Sequence, residues 1–359
     1  MEAIIGLLVI FTFIFILAGV PIYISLTLTG VLSLGVLSVS TGTPFASVAI
    51  PQAIYNGMGS LPLLAIPFFM LAGEIMNRGK ITEKLIQFAM LLIGRLPASL
   101  AHAGIVASMF FGGITGSAQA CASCMGGILI PSMTKAGYDP KEACGIIAAA
   151  STCGPIIPPS IIMVVYATAV GASVGAMFMG GLIPGILVGL VLMGIVMLRN
   201  RVCHFPRRTG RMSGAEIKKT LIDGIIPLGM PVIVVGGIMG GICTPTEAGA
   251  IAVVYSLIVS LFITKTLTFG DIGPILLTTA TSTGPLLLII ACAKIFSYGL
   301  TALQMPVLVN NLILSITDNK YVFLLLVNIL LLITYIPDLV TIVPVLLGYD
   351  VAKKKKKER

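Results

Sequence analysis

Gly112-Gly113-Ile114-Thr115-Gly116-Ser117-Ala118-Gln119-Ala120 sets three glycines and two hydroxyls in one short run. Glycine is a poor helix interior residue, by about 1 kcal/mol relative to alanine, so the run reads as a loop. Opened backbone carbonyls together with the Thr115 and Ser117 hydroxyls are hard oxygen ligands, the kind that suits an alkali cation. The same residues would also serve as a small-residue seam where two helices approach closely. Composition alone leans toward the seam.

A second run, Ala148-Ala149-Ala150-Ser151-Thr152-Cys153-Gly154-Pro155-Ile156-Ile157-Pro158-Pro159-Ser160, carries three prolines within five residues. Each proline removes a backbone donor and clashes with the preceding helical turn, and the residues before them are pushed extended. A helix must break here, freeing carbonyls at Gly154, Ile156 and Ile157. A loop at the membrane surface is the simple alternative. Against it, no charged residue occurs from Ala143 to Leu198, which places the break inside an apolar layer.

A third break is expected at Gly240-Gly241-Ile242-Cys243-Thr244-Pro245-Thr246-Glu247-Ala248. Glu247 stands in an otherwise uncharged region, where a carboxylate is a functional candidate by default. It has an equally good structural role in the first turn of a half-helix capped by Thr244 or Thr246. Helix N-termini of this kind also hold anionic groups.

Cys121-Ala122-Ser123-Cys124 has the CxxC spacing, followed by Cys144 and Cys153. A tetrathiolate zinc site needs two close pairs in a polar loop, whereas this second pair is widely spaced and its surroundings are apolar. His102 and His204 are isolated, so no catalytic constellation is visible and no enzyme is expected. There is no Walker loop to drive an ATP-powered pump.

The elements that must position these groups are transmembrane helices. Of 359 residues, 57% are hydrophobic and 10% charged, and the mean hydropathy is +1.09. A soluble domain carries roughly 25% charged residues. Between Glu2 and Glu74 there is no Asp, Glu, Lys or Arg, and a span needs about 20 apolar residues. Candidate spans are Ala3–Val20, Ile22–Leu37, Ile81–Gly94, Ala101–Phe111, Ile146–Thr152, Ile161–Val170, Leu182–Leu198, Ile225–Met239, Ala250–Ile263, Leu276–Ala293 and Tyr321–Ile333. Several are too short to cross alone, and many of the 40 Gly and 21 Pro interrupt them. Broken backbone at membrane depth is tolerated where protein buries it or it lines a cavity, and paired broken segments point to a transporter binding site.

The formal charge of +9 does not indicate nucleic-acid binding. The basic residues cluster at Arg199–Lys219 and Lys353–Arg359, with Phe205 the single Phe, Tyr or Trp among them and no Trp in the chain. The positive-inside rule accounts for them and puts the first cluster in the cytoplasm. The seven cysteines lie in apolar segments and read as reduced thiols. The N-terminal stretch lacks a basic n-region and a small-residue cleavage site, so it reads as a retained first span. The expected organisation is a first half over 1–198, a basic loop over 199–223, a second half over 224–349 and a basic tail over 350–359.

With these runs in view, the chain resembles the large membrane subunit (DctM type) of tripartite ATP-independent periplasmic (TRAP) transporters. The resemblance reaches from the N-terminus to about Leu332. It rests on LPLLAIPFFMLAGEIMNRG at Leu61–Gly79, GGITGSAQA at Gly112–Ala120, GGILIPSMTKAGYDP at Gly126–Pro140, AAASTCGPIIPPS, and CTPTEAGAIAVVY at Cys243–Tyr255. It implies an all-α, multi-span, inverted-repeat elevator transporter with broken helices and re-entrant hairpins in a bacterial inner membrane. Such a permease moves small organic anions, commonly dicarboxylates or sugar acids, together with sodium. It works with a small membrane subunit and a periplasmic substrate-binding protein. The resemblance implies a sodium site between the Thr115–Ser117 loop and the Gly154–Pro159 break, formed by Thr115, Ser117, Gly154, Ile156 and Pro159, and so outweighs the seam reading. Ser160, Thr244, Thr246 and Glu247 are the candidates for substrate or a second ion. No cofactor is implied beyond sodium as coupling ion.

Two departures stand out. Relatives often carry Asp where this chain has Cys121, which weakens the case for a second ion site. After Asn328–Ile333, the usual Phe-Met-Asp segment and second Thr-Pro-Pro-Val-Gly break do not follow. Thr334–Tyr349 instead resembles the family's extreme C-terminus, as if an internal segment had been lost at Leu330–Thr334. The alternative function is therefore a transport-incompetent relative that only binds its partner subunit. No Arg lies in the broken segments to clamp a carboxylate, and Lys294 is the only basic residue deep in a late apolar block; it can equally snorkel to an interface.

Overall fold

The computed structural model describes residues 2–316 apart from 43, 45, 46, 95 and 207–213, together with 319, 322 and 325. The middle of the basic loop, most of the expected span Tyr321–Ile333, the departure at Leu330–Tyr349 and the tail Lys353–Arg359 lie outside the described residues.

Among the described residues the chain is all-α. In chain order the helices are α1 (Glu2–Leu17), α2 (Ile22–Thr41), α3 (Ala49–Met58), α4 (Ala65–Arg78), α5 (Ile81–Ile93), α6 (Ser99–Thr115) and α7 (Ala118–Lys135). They continue with α8 (Pro140–Ser151), α9 (Ile161–Val170), α10 (Val174–Cys203), α11 (Gly214–Met239), α12 (Pro245–Ile258), α13 (Ile272–Ala302) and α14 (Met305–Ile316). A short 3-10 turn at Leu61–Leu64 leads into α4, and a π turn at Val259–Ile263 extends α12. Among the described residues six stretches are long and apolar enough to cross a bilayer: Ile22–Thr41, Leu61–Arg78, Val174–Cys203, Thr220–Met239, Pro245–Ile263 and Phe269–Ala302.

Leu61–Arg78 was not among the candidate spans, because Glu74, Asn77 and Arg78 interrupt its hydropathy. Its packing explains how it qualifies. Ala65, Ile66, Phe69, Ala72, Gly73 and Met76 are all buried, the i, i+3, i+4 stripe of an amphipathic helix. That leaves Glu74, Asn77 and Arg78 for a different face.

The chain divides into two compact units, one formed by 1–51 with 292–359 and the other by 52–291. In the first unit α2 crosses the C-terminal part of α13 at bare backbone. A methyl placed on Gly30 would sit 2.8 Å from the Ile295 carbonyl carbon, and one on Gly299 would sit 2.7 Å from the Gly30 oxygen. The Thr12 and Thr29 hydroxyls, both buried, bond to each other at 2.7 Å.

The second unit has two apolar cores. In one, α4 packs on α12, with Phe69, Met76, Val164, Phe178, Met230 and Ala252 inside it. In the other, α6 packs against α5, α7 and α8 around Ile105, Phe111, Met125, Leu129 and Ile147. Small residues permit close approach at Gly112–Ala120, and a second small-residue seam runs along α10. Gly181, Gly185 and Gly189 recur every four residues and are buried. Added methyls there would meet the Ile156 oxygen at 2.9 Å, Ile157 Cγ1 at 2.5 Å and Met109 Sδ at 2.3 Å. Long apolar α10 thus supports the second broken segment from behind.

Candidate functional site

Each break is built by its own local chemistry. Helix α6 stops where Gly116 takes a left-handed conformation (φ 61°) and its N–H bonds back to the Gly112 carbonyl. This is the usual glycine C-cap, free of the Cβ penalty. Ser117 is then extended, and its Oγ accepts the Ala120 N–H at 3.3 Å to start α7. Helix α8 ends at Ser151, and residues 152–159 run as turns and bends with a cis Pro158–Pro159 peptide. Ser160 restarts the helix. Its Oγ accepts the Met163 N–H at 3.4 Å and donates to the Pro155 carbonyl at 2.6 Å. The two segments meet largely backbone to backbone, with the Ile157 side chain against Gly113.

The contact is close enough to require glycine. A methyl on Gly112 would lie 2.4 Å from the Gly154 Cα, and one on Gly113 would lie 3.0 Å from the Pro158 oxygen. One on Gly116 would meet the Ile161 nitrogen at 2.7 Å and the Pro159 oxygen at 3.0 Å. The crossing therefore brings Thr115, Ser117, Gly154, Pro159 and Ser160 together, with the carbonyls of Pro158 and Pro159 facing the glycine side of α6. Thr115 is 5% exposed, and its Oγ1 donates to the Phe111 carbonyl at 3.2 Å, which leaves that oxygen free to offer lone pairs. Helix α4 closes in from the other side, since a methyl on Gly73 would be 2.8 Å from Thr115 Cγ2. Ile156 is placed differently: its carbonyl lies against Gly181 of α10.

The third break is a capped half-helix. Thr244 is the N-cap of α12, and its Oγ1 accepts the Glu247 N–H at 3.3 Å. Glu247 Oε2 reaches back to accept both the Thr244 N–H at 2.7 Å and the Thr244 hydroxyl at 2.9 Å. This is a full capping box. Thr246 Oγ1 donates to the Leu61 carbonyl at 2.9 Å, tying the break to the start of α4. The structure does not bring Thr244, Thr246 or Glu247 to the crossing of the other two breaks.

Beside the crossing lies a cavity of about 460 Å³. Thr115 and Ser117 line it, along with Ser123 and Cys124 of the CxxC stretch on α7 and with groups that were not among the candidates: Glu74 and Asn77 from α4, and Thr278 and Ser282 from α13. Cys124 Sγ donates to Asn77 Oδ1 at 2.8 Å. Cys121, one helical turn earlier, is buried, with its Sγ 3.7 Å from the Ser108 carbonyl. The CxxC pair therefore splits between core and cavity, and among the described residues no three His, Cys, Asp or Glu side chains gather closely enough for a metal. Among the described residues Glu74 is the one charged lining residue. Its partner Arg78 donates from Nε to Glu74 Oε1 at 2.7 Å and from Nη2 to Thr278 Oγ1 at 2.9 Å. One signal could have found these residues. Glu74 is the first charge after a long uncharged stretch, and an ionisable group at such a place is a functional candidate by default.

An all-α, multi-span chain whose broken helices meet beside a cavity lined by both polar and apolar groups has the build of a membrane transporter. The model of the tripartite ATP-independent periplasmic transporter, DctM component, matches residues 9–347, and the chain belongs to that family. It is 39% identical over 315 residues to the uncharacterized protein YgiK of Salmonella typhimurium, covering 88% of this chain and 71% of YgiK. It is 38% identical over 299 residues to the C4-dicarboxylate TRAP transporter large permease protein DctM of Pseudomonas aeruginosa, covering 83% and 70%. It is 37% identical over 318 residues to the sialic acid TRAP transporter large permease protein SiaM of Vibrio cholerae, covering 88% and 72%. The chain is accordingly a multi-pass protein of the bacterial inner membrane and a transporter subunit, not an enzyme.

Proposed function

We propose that this chain is the large permease subunit of a sodium-coupled TRAP transporter that imports a small organic anion. A periplasmic binding protein delivers the anion, and a small membrane subunit completes the complex. The observation that carries this reading is the backbone crossing of Gly112–Ser117 on Gly154–Ser160, with Thr115 and Ser117 opening onto the cavity. Sodium sits at the crossing, on the Thr115 and Ser117 hydroxyls and on backbone carbonyls of the Gly154–Pro159 break. Such ligands are hard oxygens held in place by packing rather than by charge. The organic anion occupies the cavity next to it, so that each ligand helps hold the segment that the other needs. The relatives' names, sialic acid and C4-dicarboxylate, support a small acid as cargo. Glu247, whose Oε2 is engaged in its capping box, orders the third break.

Thermal stability of the detergent-purified chain in sodium against potassium, at equal ionic strength, tests the ion. A ligand bound only by the folded state raises the midpoint by mass action. The expected result is a saturable, sodium-specific rise that Thr115→Ala weakens; equal midpoints in the two salts would sink the sodium reading. Reconstituted uptake with the binding protein and the small subunit tests the cycle. The second reading, a partner-binding subunit without transport, is favoured by the missing second Thr-Pro-Pro-Val-Gly string in the sequence. Co-purification with the small subunit and no sodium-dependent uptake would decide for it.

A further inference from the structure

Among the described residues the only charged group lining the cavity is a carboxylate, which is the wrong sign for an anionic cargo. Among the described residues Arg78 is the one cation bonded to its wall. Its guanidinium spans two helices, with Nε on Glu74 of α4 and Nη2 on Thr278 of α13. The side chains are 37% and 23% exposed, so the pair is open to an incoming solute. An exposed i, i+4 ion pair is worth only a few tenths of a kcal/mol up to about 1 kcal/mol, and a second carboxylate can displace it. The planar fork of arginine matches a carboxylate through two parallel hydrogen bonds.

We infer that Arg78 is the group that recognises the cargo's carboxylate and that Glu74 is its internal stand-in. The arriving acid takes the place of Glu74 on the guanidinium. Thr278 keeps the guanidinium anchored on α13 through the exchange. Asn77, on the same face of α4, is a neutral donor within the cavity for the remaining oxygens of the acid. Glu74, once released, repels further anions and returns to Arg78 when the cargo leaves. The cavity is thus specific for acids, and neutral sugars or alcohols of the same size leave the ion pair intact. This inference rests on the reading of the cavity as the cargo site.

The test uses the full chain with succinate and sialic acid as probes. Affinity is read from the dependence of the melting midpoint on probe concentration. Glu74→Gln removes the competing charge and is expected to tighten binding about twofold, the ratio set by an i, i+4 ion pair of about 0.3–0.5 kcal/mol. Adding Arg78→Gln to that variant abolishes the gain. Arg78→Lys, which keeps the charge and the helix, binds more weakly than wild type because an ammonium lacks the fork. Three results would overturn the inference: neither acid stabilises Glu74→Gln at millimolar concentration, the double variant binds as well as the single one, or Arg78→Lys binds as wild type. Alkylation of Cys124 by N-ethylmaleimide, followed by peptide mass spectrometry, separates the two levels. Protection of Cys124 that survives Arg78→Gln keeps the cavity as the site and rejects Arg78 as its recogniser. Binding with no protection at all rejects the cavity itself.

Discussion

Gly112 and Gly154 meet with no room for a Cβ on the first of them, so the crossing of the two breaks depends on single hydrogen atoms. Gly112→Ala would force backbone apart, since the neighbouring atom is a Cα and not the end of a flexible side chain. Overpacking of this kind costs about 1–3 kcal/mol. The expected outcome is a lower melting midpoint and loss of the sodium-specific increment, whereas Gly127→Ala, with nothing within 4 Å, leaves both unchanged. Thr244 illustrates a residue whose work is structural. Thr244→Ala removes one arm of the capping box and is expected to cost about 1 kcal/mol. A midpoint shift that is the same in sodium and potassium would show that the third break takes no part in ion binding; a loss of the sodium increment would return Thr244 to the ion site.

At the scale of elements, α8 and α10 are joined at their polar ends by Glu142 and Arg199. Arg199 Nε donates to Glu142 Oε2 at 3.3 Å, and its Nη2 bonds the other carboxylate oxygen. Hydrogen bonding to Arg199 holds the Glu142 carboxyl below the usual carboxylate range. A carboxyl whose pKa is lower folded than unfolded adds stability above its unfolded value, and that stability is lost as pH falls through the folded value. Arg199→Gln is therefore expected to lower the melting midpoint slightly at neutral pH and to have no effect once pH is below the folded pKa. Melting curves from neutral pH into acid check this, and a mutational effect that grows with acidity would contradict it. Both side chains are well solvated, so the effect is small and weakens with salt.

At the scale of the whole molecule, orientation follows from charge. The basic cluster beginning at Arg199 closes the long apolar α10, and basic loops stay in the cytoplasm. A reporter fused after Pro206 is expected to be fluorescent as a green fluorescent protein and inactive as alkaline phosphatase. The reverse pattern would invert the topology and exchange the sides on which every break is reached. Membership of the TRAP family agrees with a multi-pass inner-membrane chain.

Much of this was legible in residue types alone. A chain with so few charges can only be solvated by lipid, and prolines at 155, 158 and 159 remove the donors that a helix would need. Those facts are local and covalent, and they established the membrane class, the two principal breaks and the capping role open to Glu247. The cavity was not legible, because it is assembled from positions far apart in sequence. Glu74, Ser123 and Thr278 are polar residues on three different helices, and nothing in their spacing marks them as neighbours. Nothing in the sequence marks Arg78; α13 places Thr278 beside it. Close approach by small residues occurs at Gly112–Gly116, where the sequence suggests it, and also at Gly181–Gly189, since any run of glycines permits close approach and only a packing partner decides which run uses it. Sequence determines where a backbone can bend; the tertiary structure decides which bends and which side chains share one space.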